Sequence, residues 1–299
     1  METITRESAY GGESSSRLIV ATGPLSEGYH FFLRRMSDRH IQCRITGPDD
    51  GRVQVMADNC ALALGLATGA HCRWVSWREE MQQKVSIVLG EPLFEPGVRF
   101  PMMRRDVDQK DFMKFVRLVS ETLSAQASLR DSLSLPELAW PPKGTYLDII
   151  ALLSAAVTEA LLRSFCTALP GTSSVKPFDE GQLTSFKALL NQQPIVGHVL
   201  TPRVTRMLDS LRNVRPTDVL HAVQAAKPRL FLDDEIEAWK TLRNPAAHGN
   251  FDNTDPDFLR KVGLIFNVIN KIVMCAVGYE GQFVDYSTME WAVNRFGDA

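Results

Sequence analysis

The chain has little net charge to work with. Its 299 residues carry 33 basic and 35 acidic side chains, a formal net charge of −2. That balance excludes a broad basic face for nucleic acid, so any anionic ligand must be held locally. Dividing the chain after Gly144 changes nothing: 18 basic and 18 acidic residues precede the cut, 15 and 17 follow it. Cysteines are few: Cys43, Cys60, Cys72, Cys166 and Cys275 are odd in number, widely spaced and never in a C-x-x-C arrangement. No zinc site or disulfide framework is expected from them, and free thiols fit a reducing cytoplasm. No apolar run reaches the roughly 18 residues that a membrane helix needs. The nearest, residues 264–276, is interrupted by Asn267, Asn270 and Lys271. His30, His40 and His71 are not at ligand spacing, so no metal is expected. Residues 1–16 are polar and lack the apolar core of a signal peptide, so a disordered tail is expected there.

What is present reads as α+β. A β-rich module is expected over residues 17–100, with strands over 18–22, 29–34, 40–46, 52–56, 72–77 and 84–89. A short helix over 57–67 fits between the fourth and fifth of these. Arg34, Arg35 and Arg39 flank a predicted hairpin beside Tyr29, Phe31 and Phe32. Such a pattern can bind nucleic acid, although a solvated edge over core aromatics explains it as well. Residues 101–144 read as a linker helix (106–132) followed by a Pro-rich boundary. From 145 to 299 the chain reads as all-helical. One helix over 146–169 buries Leu147, Ile150, Leu153, Ala156, Val157, Ala160, Leu161 and Phe165. Others follow over 178–192, 196–214 and 219–226.

The chemistry concentrates in residues 237–249. Ile236, Trp239 and Leu242 recur at three-residue spacing, one helical stripe. Phe258, Val262, Ile265, Ile269, Ile272 and Ala276 form a second, longer stripe downstream. Arg243 and His248 fall between the two, and Pro245 predicts a break or kink inside the motif. Arg presents a planar fork that matches phosphate oxygens. His transfers protons near neutrality. Together they could bind a phosphodiester, move a proton and stabilise charge on pentacoordinate phosphorus. No metal is needed where the nucleophile is already attached, as the 2′-hydroxyl of RNA is. The plain alternative is a surface Arg beside a capping His.

Arg243-Asn244-Pro245-Ala246-Ala247-His248 resembles the R-(polar)-x-x-x-H signature of the HEPN superfamily, with Asn244 as the polar residue. Leu-Arg-Asn followed by Ala-His-Gly, and Gly278-Tyr279-Glu280-Gly281 after the last long helix, is similar to the abortive-infection branch typified by ApeA. The resemblance covers about residues 145–290. It implies a HEPN-like helical bundle that cleaves RNA without metal or other cofactor. It further implies a homodimer with facing motifs and a role as a toxin or anti-phage effector, with a phage-derived trigger. On this reading Arg243, His248 and Asn244 are catalytic. Lys240, Asn250, Arg203 and Arg206 are candidates for holding the RNA backbone. Glu235 is a candidate to orient Arg243, and His221 a half-buried structural residue. The competing expectations are a non-catalytic dimerisation module and a nucleotide-binding regulator.

Overall fold

A computed structural model describes residues 20–25, 28–35, 40–48, 52–69, 72–80, 84–90, 100–103, 107–140, 146–177, 179–191, 214–248, 257–288 and 290–297. The expected tail, the helix expected over 196–214 with Arg203 and Arg206, and Asn250 lie outside them.

The architecture is α+β. Strands β1 (Val20–Pro24), β2 (His30–Arg35) and β3 (His40–Thr46) form an antiparallel meander. β5 (Lys84–Gly90) pairs antiparallel with both β3 and β4 (Arg73–Glu80), giving the order β1-β2-β3-β5-β4. Period-two alternation puts Phe31 and Leu33 opposite Ile45 and Cys43, all four buried on one face. Helix α1 (Val53–Thr68) contacts the sheet, and the Cys43 and Cys60 sulfurs lie 3.9 Å apart between them. The strand expected over 52–56 is instead the first turns of α1. Its Val53 and Val55 look strand-like in isolation. The Ala- and Leu-rich run that follows, buried almost throughout from Met56 to Ala67, decides for helix.

The chain leaves α1 through Gly69, at φ 63°. A Cβ there would come within 2.8 Å of the Pro101 nitrogen, so only glycine fits. The segment 100–103 ties the sheet module to the rest. Met103 N–H donates to the Ala67 carbonyl at 2.8 Å, and Val284 N–H donates to the Met102 carbonyl at 2.9 Å. The Tyr286 hydroxyl donates to the Pro101 carbonyl at 2.6 Å. The Phe100 ring stacks on Phe266 at 4.0 Å and 8°.

Helix α2 (Gln109–Ala125), capped by Asp108, lays Phe115, Val116, Val119 and Leu123 inward and packs on α1. It ends seven residues before the expected position. A 3₁₀ turn, α3 (Arg130–Ser134) and a second 3₁₀ turn follow. Then come α4 (Leu147–Ser164), α5 (Glu180–Asn191), α6 (Pro216–Ala226), α7 (Asp233–His248) and α8 (Phe258–Ala276). The C-terminal half is not all-helical. β6 (Gly281–Val284) and β7 (Val293–Phe296) close it as an antiparallel hairpin. These strands of four residues are too short to show a period in the sequence. Helix α8 is central, buried on all sides from Val262 to Met274 and packed by α4 and α7. One contiguous apolar cluster reaches from Leu25 in the sheet module to Tyr286 beside the hairpin.

The hairpin docks through hydrogen bonds that α8 must make. Buried Asn267 donates Nδ2 to Asp285 Oδ1 at 2.7 Å and accepts from Tyr286 N–H at 2.8 Å. A Cβ on Gly263 would meet Tyr286 at 3.1 Å, so the glycine allows this close approach. Burial alone would push the Asp285 carboxyl up. Donors from Ser287, Asn267 and Asn294 outweigh it and hold the group below its usual value.

Two outcomes test this packing. Phe100→Ala should cost about 3–5 kcal/mol in chemical denaturation, since it removes a buried ring. Asp285 has a depressed folded pKa, so its stabilisation is present above the unfolded value near 3.9 and is lost as pH falls below it. Asp285→Ala should therefore lower the melting temperature at neutral pH and narrow its gap to wild type below about pH 4.

Candidate functional site

Two parallel helices build the site. The Trp239 indole N–H on α7 donates to the Ala155 carbonyl on α4 at 3.3 Å, and Trp239 is fully buried. One turn further along both helices, Arg243 Nε meets Glu159 Oε2 at 3.1 Å. The four-residue step is the same on each helix, so α4 and α7 run in the same direction and in register here. The Arg243 guanidinium also lies 5.1 Å from the Trp239 ring centre, a cation–π contact. Glu159 has a second cation: its Oε1 accepts from Arg163 Nη2 at 2.5 Å, one turn along α4. Arg163 and Arg243 are 51% and 38% exposed, and Glu159 is 21% exposed. The cluster is two guanidinium groups on one carboxylate, anchored below by a buried indole and reachable from above.

The expected break at Pro245 does not occur. α7 runs through Pro245 and ends at His248, so the whole motif is helical. Proline disfavours but does not forbid a helical residue before it. Trp239 and Leu242, both buried, hold the preceding turns in place. Arg243 and His248 thus stand in the last two turns of one helix. In a regular helix, positions five apart are separated by about 140° around the axis and about 7.5 Å along it. The backbone therefore does not put them on one face. Asn244 shares this stretch. Its side chain and that of His248 lie outside the described atoms. Lys240 is half-buried on α7, one turn before Arg243 and about 60° around the axis.

Glu235 does not orient Arg243. It is fully buried, and Lys271 Nζ on α8 donates to both its carboxylate oxygens, at 2.7 and 2.8 Å. Leu232 N–H adds a third hydrogen bond at 2.9 Å. Burial pushes the Glu235 carboxyl up, opposed by the Lys271 charge and by these donors. Its role is to fix the start of α7 against α8. His221 is exposed on α6 rather than half-buried. Arg215, the N-cap residue of α6, is exposed as well.

Glu159 and Arg163 escaped the motif search because they lie about eighty residues upstream. The available signal was a Glu and an Arg at four-residue spacing on an otherwise apolar helix, a pair that helical geometry brings together. An open hollow of about 500 Å³ lies elsewhere, between α1 and α3, lined by Asp58, Leu62, Cys72, Arg130, Asp131 and Glu137 among others. It shares no residue with the Arg243 cluster. Among the described residues, no group of three His, Cys, Asp or Glu side chains is placed to hold a metal ion. No helix among them is long and apolar enough to cross a membrane.

The ion pair under α7 gives a sharp test. Lys271→Met leaves Glu235 buried without its counter-charge and should cost about 3–5 kcal/mol at neutral pH. Because the folded Glu235 pKa is raised, that cost falls as pH drops and the carboxyl protonates. Glu235→Gln with Lys271→Met should recover most of the loss. Urea titrations at two pH values read both effects. Comparison of the chain with family models, with curated proteins and with solved structures gives no match.

Proposed function

We propose that this protein is a metal-independent endoribonuclease of HEPN type, acting as a toxin or abortive-infection effector. The observation that carries the reading is the placement of Arg243. A guanidinium is held at the surface by a carboxylate and a buried indole, in the helix-ending motif that also contains His248. This anchoring fixes the orientation of the guanidinium and leaves it partly exposed.

In the proposed reaction the RNA 2′-oxygen attacks the adjacent phosphorus. The bond from phosphorus to the 5′-oxygen breaks, leaving a 2′,3′-cyclic phosphate and a 5′-hydroxyl. The 2′-proton leaves to a base and the 5′-oxygen gains one from an acid, so no water is consumed. His248 serves one of these two proton transfers. Arg243 stabilises the charge on the phosphorane oxygens. Asn244 positions phosphate or the imidazole, and Lys240 steadies the strand.

The helix register supports a two-chain site. Positions 243 and 248 stand about 140° apart around the axis of α7, so one motif supplies few groups to any one phosphate. A second copy facing the first doubles them. Tyr146, just before α4, and Ile149 and Leu152 on it are exposed apolar residues at the start of the helix that carries Glu159 and Arg163. They offer the contact for that second copy. The competing reading, a binding module without chemistry, draws on the same Glu159 contact as a purely structural staple.

Incubation of the purified protein with total RNA in EDTA separates the readings. The nuclease should cut, and the products should carry cyclic phosphate ends. Arg243→Ala and His248→Ala should each lower the rate by at least about a hundredfold with the melting temperature little changed. Intact RNA with the wild type, or cleavage at full rate by both variants, rejects the assignment.

A further inference from the structure

We infer that Arg163 is a second phosphate-binding guanidinium of this surface cluster, and that Glu159 is the positioning residue that gathers it with Arg243; the inference rests on reading the cluster as an RNA site. A Glu and an Arg four apart on a helix are by themselves an ordinary surface pair, worth a few tenths of a kcal/mol. Here the same carboxylate is shared with a third group from another helix. Arg243 reaches it through Nε, and its position is set independently by the Trp239 ring. The terminal nitrogens of Arg243 lie beyond the anchoring Nε by covalent geometry.

Counting donors shows what the arrangement is suited to. Each guanidinium has five N–H donors in a fixed fork, and a carboxylate has about four acceptor sites. One carboxylate cannot satisfy two guanidinium groups. Among the described residues the three groups Arg163, Arg243 and Glu159 sum to one positive charge, at a place where both arginines are partly exposed. A tetrahedral anion with two free oxygens complements that surplus, and a phosphodiester is such an anion. A chain of net charge −2 also has to hold RNA by a local device of this kind. Glu159 limits the attraction: it keeps the two forks aligned while cancelling half their charge.

The test uses a fluorescein-labelled single-stranded 2′-O-methyl RNA of mixed sequence, which cannot undergo 2′-attack. Its binding is followed by anisotropy in EDTA across a salt series. Arg163→Ala should weaken affinity about five- to tenfold and reduce the slope of log affinity against log salt by about 0.7, one phosphate contact on a single strand. Glu159→Gln removes the carboxylate charge and should bind as tightly as wild type or more so. On cleavable RNA the same variant should show a lower KM together with a lower kcat, because alignment is lost while charge is gained. A merely structural Glu159 would leave both constants alone. Wild-type affinity and slope in Arg163→Ala overturn the inference, as does failure of the wild type to bind the methylated strand. If Arg163→Ala binds weakly but the wild type leaves cleavable RNA intact, the phosphate site stands and the nuclease reading falls.

Discussion

An ammonium group buried in the middle of a bundle is the constraint from which the rest of this structure follows. Helix α8 is enclosed from Val262 to Met274, and Lys271 lies within that span. A lone charge there would be prohibitively costly, so a partner has to come to it. Glu235 supplies both carboxylate oxygens from α7. That pairing fixes where α7 starts and which way it faces. Trp239, one turn on, then meets α4, and Arg243 one turn further reaches Glu159. The site at the end of α7 is positioned by a chain of contacts that begins at the far end of the same helix.

The site itself is electrostatically modest. Three charged groups share a partly exposed patch, and solvent screens each of them. On the proposed reading, such a patch would make transient contact with one or two phosphates rather than sequester a long strand. The arrangement differs in kind from the basic surfaces of proteins that live on nucleic acid. A small patch with defined geometry does little for affinity and much for orientation, which is what the proposed catalysis of an attached nucleophile would need.

Much of the bundle was legible because hydrophobic periodicity reports burial directly. Phe258, Val262, Ile265, Ile269 and Ile272 are all buried, as their spacing indicated. α4 shows where that rule fails. Ala156, expected inside, is exposed, while Ser154 and Thr158 are buried. Both hydroxyls donate to carbonyls of their own helix, Ser154 to Ala151 and Thr158 to Ser154, so burying them is cheap. Hydropathy counts such residues as polar and so misses part of the buried face, although Ile150, Val157, Leu161 and Phe165 are buried as expected. Asn267 and Lys271 carry more than their sequence reading gave them. They looked like interruptions of an apolar helix and are instead the groups through which that helix holds Asp285 and Glu235. Within the site, Arg243 could be picked out from its motif. Glu159 and Arg163 could not, because nothing local says that residues 159 and 243 meet.

Pro245 sharpens what the motif can do. A proline inside the last turns of α7 removes the hydrogen bond that its own nitrogen would have donated one turn back. The Thr241 carbonyl consequently loses its usual helical partner. Yet the helix continues to His248. Glu235, Trp239 and Leu242, which anchor the helix, all lie before Thr241 or next to it. The arginine is thus fixed by the bundle, and the histidine position lies in the closing turn of the same helix. With the two positions about 140° apart, a phosphate at Arg243 is not automatically within reach of the imidazole of the same chain. A bound strand, or a facing copy that brings its own last turn against this one, would have to complete the pair. On the proposed nuclease reading, chemistry that needs such a second contribution would be off in the isolated chain.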